Sequence, residues 1–255
     1  VYATITPDYF FPGSAFLTQR ELGLDGIPVI DIRQQCSGFV YALSIADQFI
    51  KTGMNKTVLV IGSEIQSTWI DKSTAGRNTA VIFGDGAGAA IVEATEDAAH
   101  RILSTHLHAD GRFAEELYVK EPGSSRPDRP VTQALLDAGG FTVYMNGNTV
   151  FKHASNRFGE VIGEALEKNA LSAKDLNLLI PHQANIRISD FVRNQLGLTE
   201  DQVVNNIQRF GNTTAASIPI AMAEAWDNGR VKKGDLICLA AFGSGFTWAS
   251  ALIRW

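Results

Sequence analysis

Cys36 is the first residue whose position suggests chemistry. It stands in IDIRQQCSGFVYAL, where a run typical of a strand ends and a run typical of a helix begins. Unpaired backbone N–H groups at a helix N-terminus favour a thiolate, so we expect a nucleophile with a lowered thiol pKa at this join. The alternative is a buried cysteine that only packs, and position alone does not decide between the two.

His182 and Asn212 are two further polar residues that lie just before predicted helices. His182 lies in LLIPHQAN, past the end of a strand, where a neutral imidazole can donate a hydrogen bond or act as an acid or base. Asn212 lies in RFGNTTAASIPI. The alternatives are a histidine of a loop or core without chemistry, and an asparagine that caps a helix.

An internal repeat relates these residues to one another. TPDYFFPGSAFLTQRELGL and IPHQANIRISDFVRNQLGL share a layout of strand, Pro, polar turn, helix and Leu-Gly-Leu. Further along the chain, Cys36 aligns with Asn212, and Gly53 aligns with Gly229. If the halves are related by a pseudo-twofold axis, two helix N-termini meet near it, and Asn212 and His182 come towards Cys36.

The repeat also predicts the fold class. Each half carries strand, helix, strand, helix and two strands, which indicates sheets flanked by helices in a duplicated α/β fold. Residues 1–95 form the first half and residues 96–255 the second. The helix NTVFKHASNRFGEVIGEALEKNAL has no counterpart in the first half, so we expect an N-terminal piece to be missing. Residues from about 112 to 140 are rich in Pro, Gly and charge, which is typical of a surface loop or lid.

Composition argues against several classes of function. Apolar content of 45% and charged content of 19% are ordinary for a soluble globular protein. A net charge of −5 argues against a general nucleic-acid binder, and no apolar run is long enough to cross a membrane. Two cysteines are too few for a disulfide framework, so we expect a reducing, cytoplasmic location.

Three further signals are set aside. GDGAGA precedes a strand-like run, whereas a dinucleotide loop opens a helix. His106 and His108 share one face of a strand, but no further ligand cluster accompanies them, so we expect no metal site. Cys238 lies in a continuous apolar strand and is expected to pack without chemistry.

Together the motifs resemble the type III β-ketoacyl-acyl-carrier-protein (ACP) synthases, a family of thiolase-like condensing enzymes. The resemblance covers essentially the whole chain and is carried by CSGFVYALSIADQFI, IFGDGAGAA, STHLHADG, IPHQANIRI, GNTTAAS and FGSGFTWASALIRW. It implies a homodimer with a thiolase-like duplicated fold of five layers, α/β/α/β/α, with two mixed sheets. It also implies a catalytic triad of Cys36, His182 and Asn212.

The activity implied by the resemblance is a two-step acyl transfer that needs no metal or redox cofactor. Cys36 takes an acyl group from an acyl-CoA thioester, and malonyl-ACP then loses CO₂ and attacks the acyl-enzyme to give a β-ketoacyl-ACP. The backbone N–H groups of Cys36 and Ser244 would form the oxyanion hole. His182 and Asn212 would donate hydrogen bonds to the malonyl thioester oxygen.

The resemblance also assigns residues outside the triad. Arg77, Asn148 and Arg187 match family positions that contact CoA or the phosphopantetheine arm of the carrier protein, and each has the alternative of a surface residue or a helix cap. Phe11 matches a residue that closes the acyl pocket across the dimer interface, with plain core packing as its alternative.

Two other functions use the same residues. A catalytically weak partner subunit of a heterodimer usually loses part of the triad, whereas this chain keeps all three residues. A cysteine hydrolase would use Cys36 and His182 to hydrolyse the thioester, and Asn212 would then orient His182.

Overall fold

The computed structural model describes residues 1–124 and 131–255 of the chain. Its strands are β1 (Tyr2–Ala3), β2 (Asp31–Ile32), β3 (Thr57–Glu64), β4 (Gly86–Glu93), β5 (Arg101–Ala109), β6 (Leu117–Tyr118), β7 (Tyr144–Met145), β8 (Leu178–Pro181), β9 (Leu236–Gly243) and β10 (Thr247–Arg254). Its helices are α1 (Ser14–Glu21), α2 (Gly38–Lys51), α3 (Arg77–Ala80), α4 (Gln133–Asp137), α5 (Gly147–Lys168), α6 (Ile186–Leu196), α7 (Ile207–Phe210) and α8 (Ser217–Asp227). Among the helices described, none is long and apolar enough to cross a membrane.

Two four-stranded mixed sheets form the framework. The first has the order β2-β1-β3-β4, with β1 parallel to β2 and β3, and with β4 antiparallel to β3. The second has the order β5-β10-β9-β8, with β10 antiparallel to β5 and β9, and with β8 parallel to β9. The two mixed sheets expected from the sequence are therefore confirmed.

The helices form layers on both sides of these sheets. α2 and α8 lie between the sheets, where their apolar side chains share one core with the facing strands. α5 and α6 cover the outer face of the second sheet and enclose a second core. α1 and the outer face of β3 line a small cavity of about 180 Å³ beside the first sheet. This layer order is the predicted α/β/α/β/α arrangement.

The apolar spacing of α5 determines which face of this helix is buried. Phe158, Ile162 and Ala165 recur at helical spacing and are at most 1% exposed against the second sheet. Phe151, nearer the start of the helix, is 38% exposed. Its side chain lines a cavity there instead of packing in the core.

The four glycines that the repeat aligns follow helices and adopt the left-handed conformation. Gly53 and Gly229 follow the two central helices with φ of 76° and 67°. Gly23 and Gly197, in the two Leu-Gly-Leu segments, have φ of 64° and 68°. Each glycine thus closes its helix in a conformation that costs other residues more.

A short 3₁₀ turn precedes each central helix. We call them the Cys36 turn (Gln35–Ser37) and the Thr214 turn (Thr214–Ala216). Both begin with a residue of positive φ, 45° at Gln35 and 49° at Thr214. Cys36 therefore corresponds in space to Ala215, and its predicted alignment with Asn212 is wrong. The physical reason is that α2 has 14 residues and α8 has 11, so one spacing cannot match both ends.

The two turns meet at the centre of the molecule. A Cβ added to Gly38 would lie 3.3 Å from the Cβ of Ala215, and a Cβ added to Gly62 would lie 2.4 Å from the Ala215 carbonyl oxygen. Only a residue without a side chain permits the second approach. The expected meeting of two helix N-termini is therefore present.

The expected loop at 112–140 is described in part. A 3₁₀ segment (Gly111–Glu116) leads into β6, which pairs antiparallel with β7, and α4 lies between these two strands in the chain. Residues 125–130 of the expected loop lie outside the described residues.

Gly62→Ala is expected to lower the free energy of unfolding by about 1–3 kcal/mol, because the new methyl group would meet the Ala215 carbonyl and force a shift. Denaturant unfolding followed by circular dichroism measures the change. The matched control is Gly163→Ala in α5, where nothing lies within 4 Å of the added Cβ. That control should stabilise the chain by about 0.5–1 kcal/mol. Equal effects of the two substitutions would contradict the close approach.

Candidate active site

Cys36 is held at the start of α2 by the second sheet. Its side chain is only 6% exposed. Gly243, the last residue of β9, packs directly against it, and a Cβ at Gly243 would lie 2.8 Å from the Cβ of Cys36. Thr247, at the start of β10, donates a hydrogen bond of 3.1 Å from Oγ1 to Ser37 Oγ. The thiol therefore lies before the first turn of α2, where the sequence predicts it.

Burial decides the protonation state of Cys36. It raises the pKa of the thiol to about 12, and the negative charge of Glu64 acts in the same direction. Hydrogen bonds from the backbone N–H groups of Cys36 and Ser244 lower the pKa, but by less. The expectation of a lowered pKa is wrong for the resting chain, because removing water from a buried thiolate costs more than these N–H groups contribute.

His182 follows β8 and is 3% exposed. Its backbone N–H donates to the carbonyl of Ala240 in β9 over 2.8 Å, which fixes the residue past the strand end. Its Nδ1 lies 2.6 Å from Oγ of Ser217, the first residue of α8. Burial lowers the pKa of the ring to about 3, so His182 is neutral at pH 7. Its Nε2 is buried and has no hydrogen-bond partner among the described residues.

Asn212 is attached to the first half of the chain by backbone hydrogen bonds. Its N–H donates to the carbonyl of Ile82 over 2.8 Å, and its carbonyl accepts from the N–H of Gly84 over 3.0 Å. The side-chain Oδ1 accepts from the N–H of Thr214 over 2.9 Å. This bond fixes the orientation of the carboxamide, so that Nδ2 is the end with hydrogen atoms to donate.

One cavity of about 450 Å³ brings Cys36, His182 and Asn212 together. Its walls are mainly apolar and come from both halves of the chain and from the β6–β7 pair. Large apolar wall residues are Ile82, Phe83, Leu117, Met145, Val150, Phe151, Phe158, Ile188 and Phe242. An apolar cavity with a few convergent polar groups is typical of a site for a small organic group.

The residues that the resemblance assigned to CoA, ACP and the acyl chain divide into two sets. Asn148 in α5 and Arg187 in α6 line the same cavity as the three polar residues. Arg77 in α3 is exposed on the surface and is not among the residues that line this cavity. Phe11 is also outside it and is 82% exposed, so the alternative of core packing for Phe11 is wrong.

Three residues of the site were not predicted from the sequence: Gly243, Ser217 and Glu64. Gly243 is the last residue of β9 and the first glycine of FGSGF, a segment in which the sequence analysis assigned a role only to the backbone of Ser244. Ser217 lies in a helix start where a serine is ordinary. Glu64 did carry a signal, because alternation along β3 places it on the same buried side as Val58 and Val60.

Glu64 is a buried carboxyl group that is 2% exposed. It accepts hydrogen bonds from Thr6 Oγ1 (2.9 Å), from the N–H of Ile5 (3.2 Å) and from Thr4 Oγ1 (3.3 Å). Burial outweighs these bonds and raises the pKa of Glu64 to about 7. The carboxyl group is therefore poised between its neutral and charged forms near neutral pH, and its charge acts on Cys36.

His106, His108 and Cys238, for which the sequence predicted no chemistry, have structural surroundings of their own. His106 and His108 both contact Glu164 of α5, with N···O distances of 3.4 Å and 2.6 Å. Cys238 is fully buried in the core between the second sheet and the outer helices. Within residues 1–124 and 131–255, no three His, Cys, Asp or Glu side chains are grouped to hold a metal ion.

Comparisons with known proteins match the chain over its length. Residues 30–111 match the model of the family 3-oxoacyl-[acyl-carrier-protein (ACP)] synthase III, and residues 166–255 match the C-terminal model of the same enzymes. The β-ketoacyl-[acyl-carrier-protein] synthase III of Thioalkalivibrio sulfidiphilus is 46% identical over all of this chain and 76% of its own length. The chain thus spans about three quarters of that relative.

Solved structures agree with this match. The 3-oxoacyl-[acyl-carrier-protein] synthase III of Aquifex aeolicus superposes with a TM-score of 0.89 at 42% identity, over all of this chain and 76% of its own. The enzyme of Thermus thermophilus gives 0.90 at 41% identity, with the same coverage. The fold is therefore that of the thiolase-like α/β proteins with two mixed sheets. Within that class, the chain belongs to the β-ketoacyl-ACP synthase III family, the condensing acyltransferases of fatty-acid biosynthesis.

Glu64→Gln is expected to lower the pKa of Cys36, because it removes a negative charge that opposes the thiolate and keeps the side chain's size. The measurement is the rate of iodoacetamide alkylation of Cys36 against pH, read from the mass of its peptide. The rise in rate should move to lower pH in the variant.

Glu93→Gln is the matched control, because Glu93 is an exposed glutamate at the far end of the same sheet. Its alkylation profile should coincide with that of the wild-type chain. A Glu64→Gln profile that also coincides would show that the two buried groups are not coupled.

Proposed function

We propose that this chain joins an acyl group from acyl-CoA to malonyl-ACP and releases CoA and CO₂, with Cys36 as the nucleophile. The observation that carries the proposal is the apolar cavity lined jointly by Cys36, His182 and Asn212. The printed names of the relatives supply the carrier protein as a substrate. No metal or redox cofactor is needed, because the bonds that break are a thioester and a carbon–carboxylate bond.

In the first step, the sulfur of Cys36 attacks the carbonyl carbon of the acyl-CoA thioester. The bond from that carbon to the CoA sulfur breaks, and the acyl-enzyme and CoA result. The backbone N–H groups of Cys36 and Ser244 stabilise the oxyanion in this step. The support is that both N–H groups form hydrogen bonds to the Cys36 sulfur. The carbonyl carbon of the substrate becomes bound to this sulfur, so its oxygen comes close to the same two donors. One donor of this kind typically contributes about 2.7–4 kcal/mol.

In the second step, the malonyl thioester loses CO₂ and its α-carbon attacks the acyl-enzyme. Asn212 donates from Nδ2 to the thioester oxygen as enolate character develops, and a neutral amide does so without becoming charged. His182 acts on the same oxygen through Nε2, the buried ring nitrogen that has no protein partner in the described part of the chain. Cys36 then leaves as a thiolate.

Asn148 and Arg187 are proposed to contact the pantetheine arm that both substrates share. Their support is that they line the cavity on the first turns of α5 and α6. Arg77 lies on the exposed surface, where its guanidinium suits a phosphate of CoA or of the carrier protein arm. The proposed compartment is the cytoplasm, where thiols stay reduced, because both cysteines are free.

Thioester hydrolysis and a weakly active partner subunit remain as outcomes of the test rather than as proposals. The chain is mixed with acetyl-CoA and then with malonyl-ACP, and both protein and products are weighed by mass spectrometry. Condensation predicts an acetyl group on Cys36 followed by β-ketoacyl-ACP. Free acetate as the sole product would indicate a hydrolase, and an unmodified Cys36 would indicate an inactive subunit.

Asn212→Asp is expected to spare acylation and to slow decarboxylation about 100-fold or more, because a carboxylate keeps the acceptor for Thr214 but loses the donor. The two steps are measured separately, as acetyl transfer to Cys36 and as release of CO₂ from malonyl-ACP. Equal loss of both steps would contradict the role assigned to Asn212.

We also propose that the chain forms a homodimer. Three consecutive aromatic residues, Tyr9, Phe10 and Phe11, are 58%, 69% and 82% exposed. β4 is the edge strand of the first sheet, and its Ile91 is 68% exposed. Exposed apolar groups and an unpaired strand edge are typical of an interface.

Phe11→Asp is expected to weaken this dimer, because the new carboxylate would be buried without a partner. Analytical ultracentrifugation over a dilution series measures the dissociation constant. Phe191→Asp on α6 is the control, since Phe191 is 46% exposed on a different element. A wild-type chain that is monomeric at all concentrations would overturn the proposed dimer.

A further inference from the structure

Gln183 carries a buried carboxamide that makes four hydrogen bonds. The residue is 3% exposed. Its Nε2 donates to the carbonyl oxygens of Pro181 (2.8 Å) and Val204 (3.0 Å). Its Oε1 accepts from the backbone N–H groups of Asn206 (2.9 Å) and Ile207 (3.2 Å). A carboxamide has two hydrogens to donate and two acceptor positions, so all of them are used.

These four bonds also fix which end of the carboxamide is the oxygen. In the opposite orientation the NH₂ group would face two backbone N–H groups, and the oxygen would face two carbonyl oxygens. All four bonds would then be lost. The place therefore requires a side chain that donates twice at one end and accepts twice at the other. A glutamate of the same length keeps the acceptor end and loses both donors.

The backbone that Gln183 binds leads directly to Asn212. Asn206 and Ile207 begin the one-turn helix α7, whose first N–H groups have no partner inside the helix. Gly211 closes this helix with a hydrogen bond of 2.8 Å from its N–H to the carbonyl of Ile207. Asn212 is the next residue. One closed turn therefore separates the bonds of the Gln183 carboxamide from Asn212.

His182 and Asn212 belong to different parts of the molecule, and two links join them. The backbone of Asn212 is bonded to the first half of the chain, whereas His182 continues β8 of the second sheet through its bond to Ala240. Ser217 joins the His182 ring to the turn that follows Asn212. Gln183 joins the end of β8 to the segment that precedes Asn212. One link thus lies after Asn212 in the chain and one before it.

We propose that Gln183 is a positioning residue that sets the spacing of His182 and Asn212, so that both side chains reach one malonyl thioester oxygen. The proposal deepens the proposed function, on which it rests. Gln183 is not among the residues that line the cavity, so it acts through its neighbours. Two donors serve one oxygen only when each lies about 2.7–3.1 Å from it, and an error of about 1 Å costs about 100-fold in rate.

The acylation step does not depend on this spacing. Under the proposed function, the backbone N–H groups of Cys36 and Ser244 stabilise its oxyanion. The partners of the Gln183 carboxamide are Pro181 and residues in the range 204–207, and neither Cys36 nor Ser244 is among them. Loss of these bonds is therefore expected to slow the second step and to spare the first. A loss of folded protein would instead lower both rates in the same proportion.

Gln183→Glu is the first test, because it removes both donors and keeps the length of the side chain. Release of CO₂ from malonyl-ACP should slow about ten- to a hundredfold, while acetyl transfer to Cys36 stays within about twofold. Gln202→Glu is the matched control. Gln202 also joins two backbone groups, the Leu176 carbonyl (2.8 Å) and the Thr199 N–H (3.0 Å), but it does not line the cavity. The control should leave both rates unchanged, and a proportional loss of both rates in Gln183→Glu would overturn the positioning role.

A double substitution separates positioning from a general loss of structure. Asn212→Asp already removes a donor that Gln183 positions. Adding Gln183→Glu to that variant should therefore slow decarboxylation much less than it does in the wild-type chain. Effects that multiply, as they do for independent sites, would contradict the proposal.

Hydrogen exchange tests the bonds in the wild-type chain, and it applies even if Gln183→Glu does not fold. The N–H groups of Asn206 and Ile207 should exchange slowly, because both are bonded to a buried oxygen. Mass spectrometry with fragmentation of the peptide that covers residues 204–211 measures the exchange. Fast exchange at both positions would show that Gln183 does not hold the start of α7, and the proposal would fail.

The outcomes separate this proposal from the proposed function. Normal decarboxylation in Gln183→Glu would overturn the role of Gln183 and leave the condensing activity intact. Failure of the wild-type chain to release CO₂ from malonyl-ACP would overturn the proposed function, and hydrogen exchange would still decide whether Gln183 holds the start of α7.

Discussion

The close packing around Ala215 is the constraint on which the rest of the structure depends. Gly62 of the first sheet allows the carbonyl of Ala215 to approach the strand, and Gly38 at the start of α2 allows its methyl group to approach the helix. The Thr214 turn is thereby pressed against the start of α2, next to the Cys36 turn. Backbone hydrogen bonds to the carbonyl of Ile82 and from the N–H of Gly84 then hold Asn212 in place just before this turn. A reactive cavity with walls from two halves of the chain follows from this contact.

Burial has opposite effects on the pKa values of Cys36 and His182, which both line the cavity. It raises the pKa of the Cys36 thiol to about 12 and lowers that of the His182 ring to about 3. Both groups are therefore neutral at rest, and an ion pair between them is disfavoured until a substrate supplies compensating charge or polarity. The carboxyl group of Glu64, with a pKa raised to about 7, increases this bias when it is charged. The resting Cys36 thiol is consequently a poor nucleophile.

Much of the architecture was predictable because local patterns and packing agree. The repeat predicted two sheets flanked by helices, and the segment NTVFKHASNRFGEVIGEALEKNAL was predicted as the helix that forms α5. The correspondence of Cys36 with Ala215 was not predictable from the repeat. It arises because α2 is three residues longer than α8, and the aligned sequences do not show this difference. The pKa of Cys36 was predicted in the wrong direction for a related reason. A helix N-terminus is visible in a sequence, whereas the exclusion of water depends on Gly243 and the second sheet, which are distant in the chain.

The deep burial of Cys36 also bears on its chemical durability. Peroxide attacks the thiolate form of cysteine, and the ladder of sulfenic, sulfinic and sulfonic acids begins with that attack. A thiol that keeps its proton and is only 6% exposed presents little of the vulnerable species. The protonated thiol is therefore expected to react slowly with hydrogen peroxide. Under the proposed function, the vulnerable thiolate arises only when a substrate is bound, and the thioester that forms next removes it again.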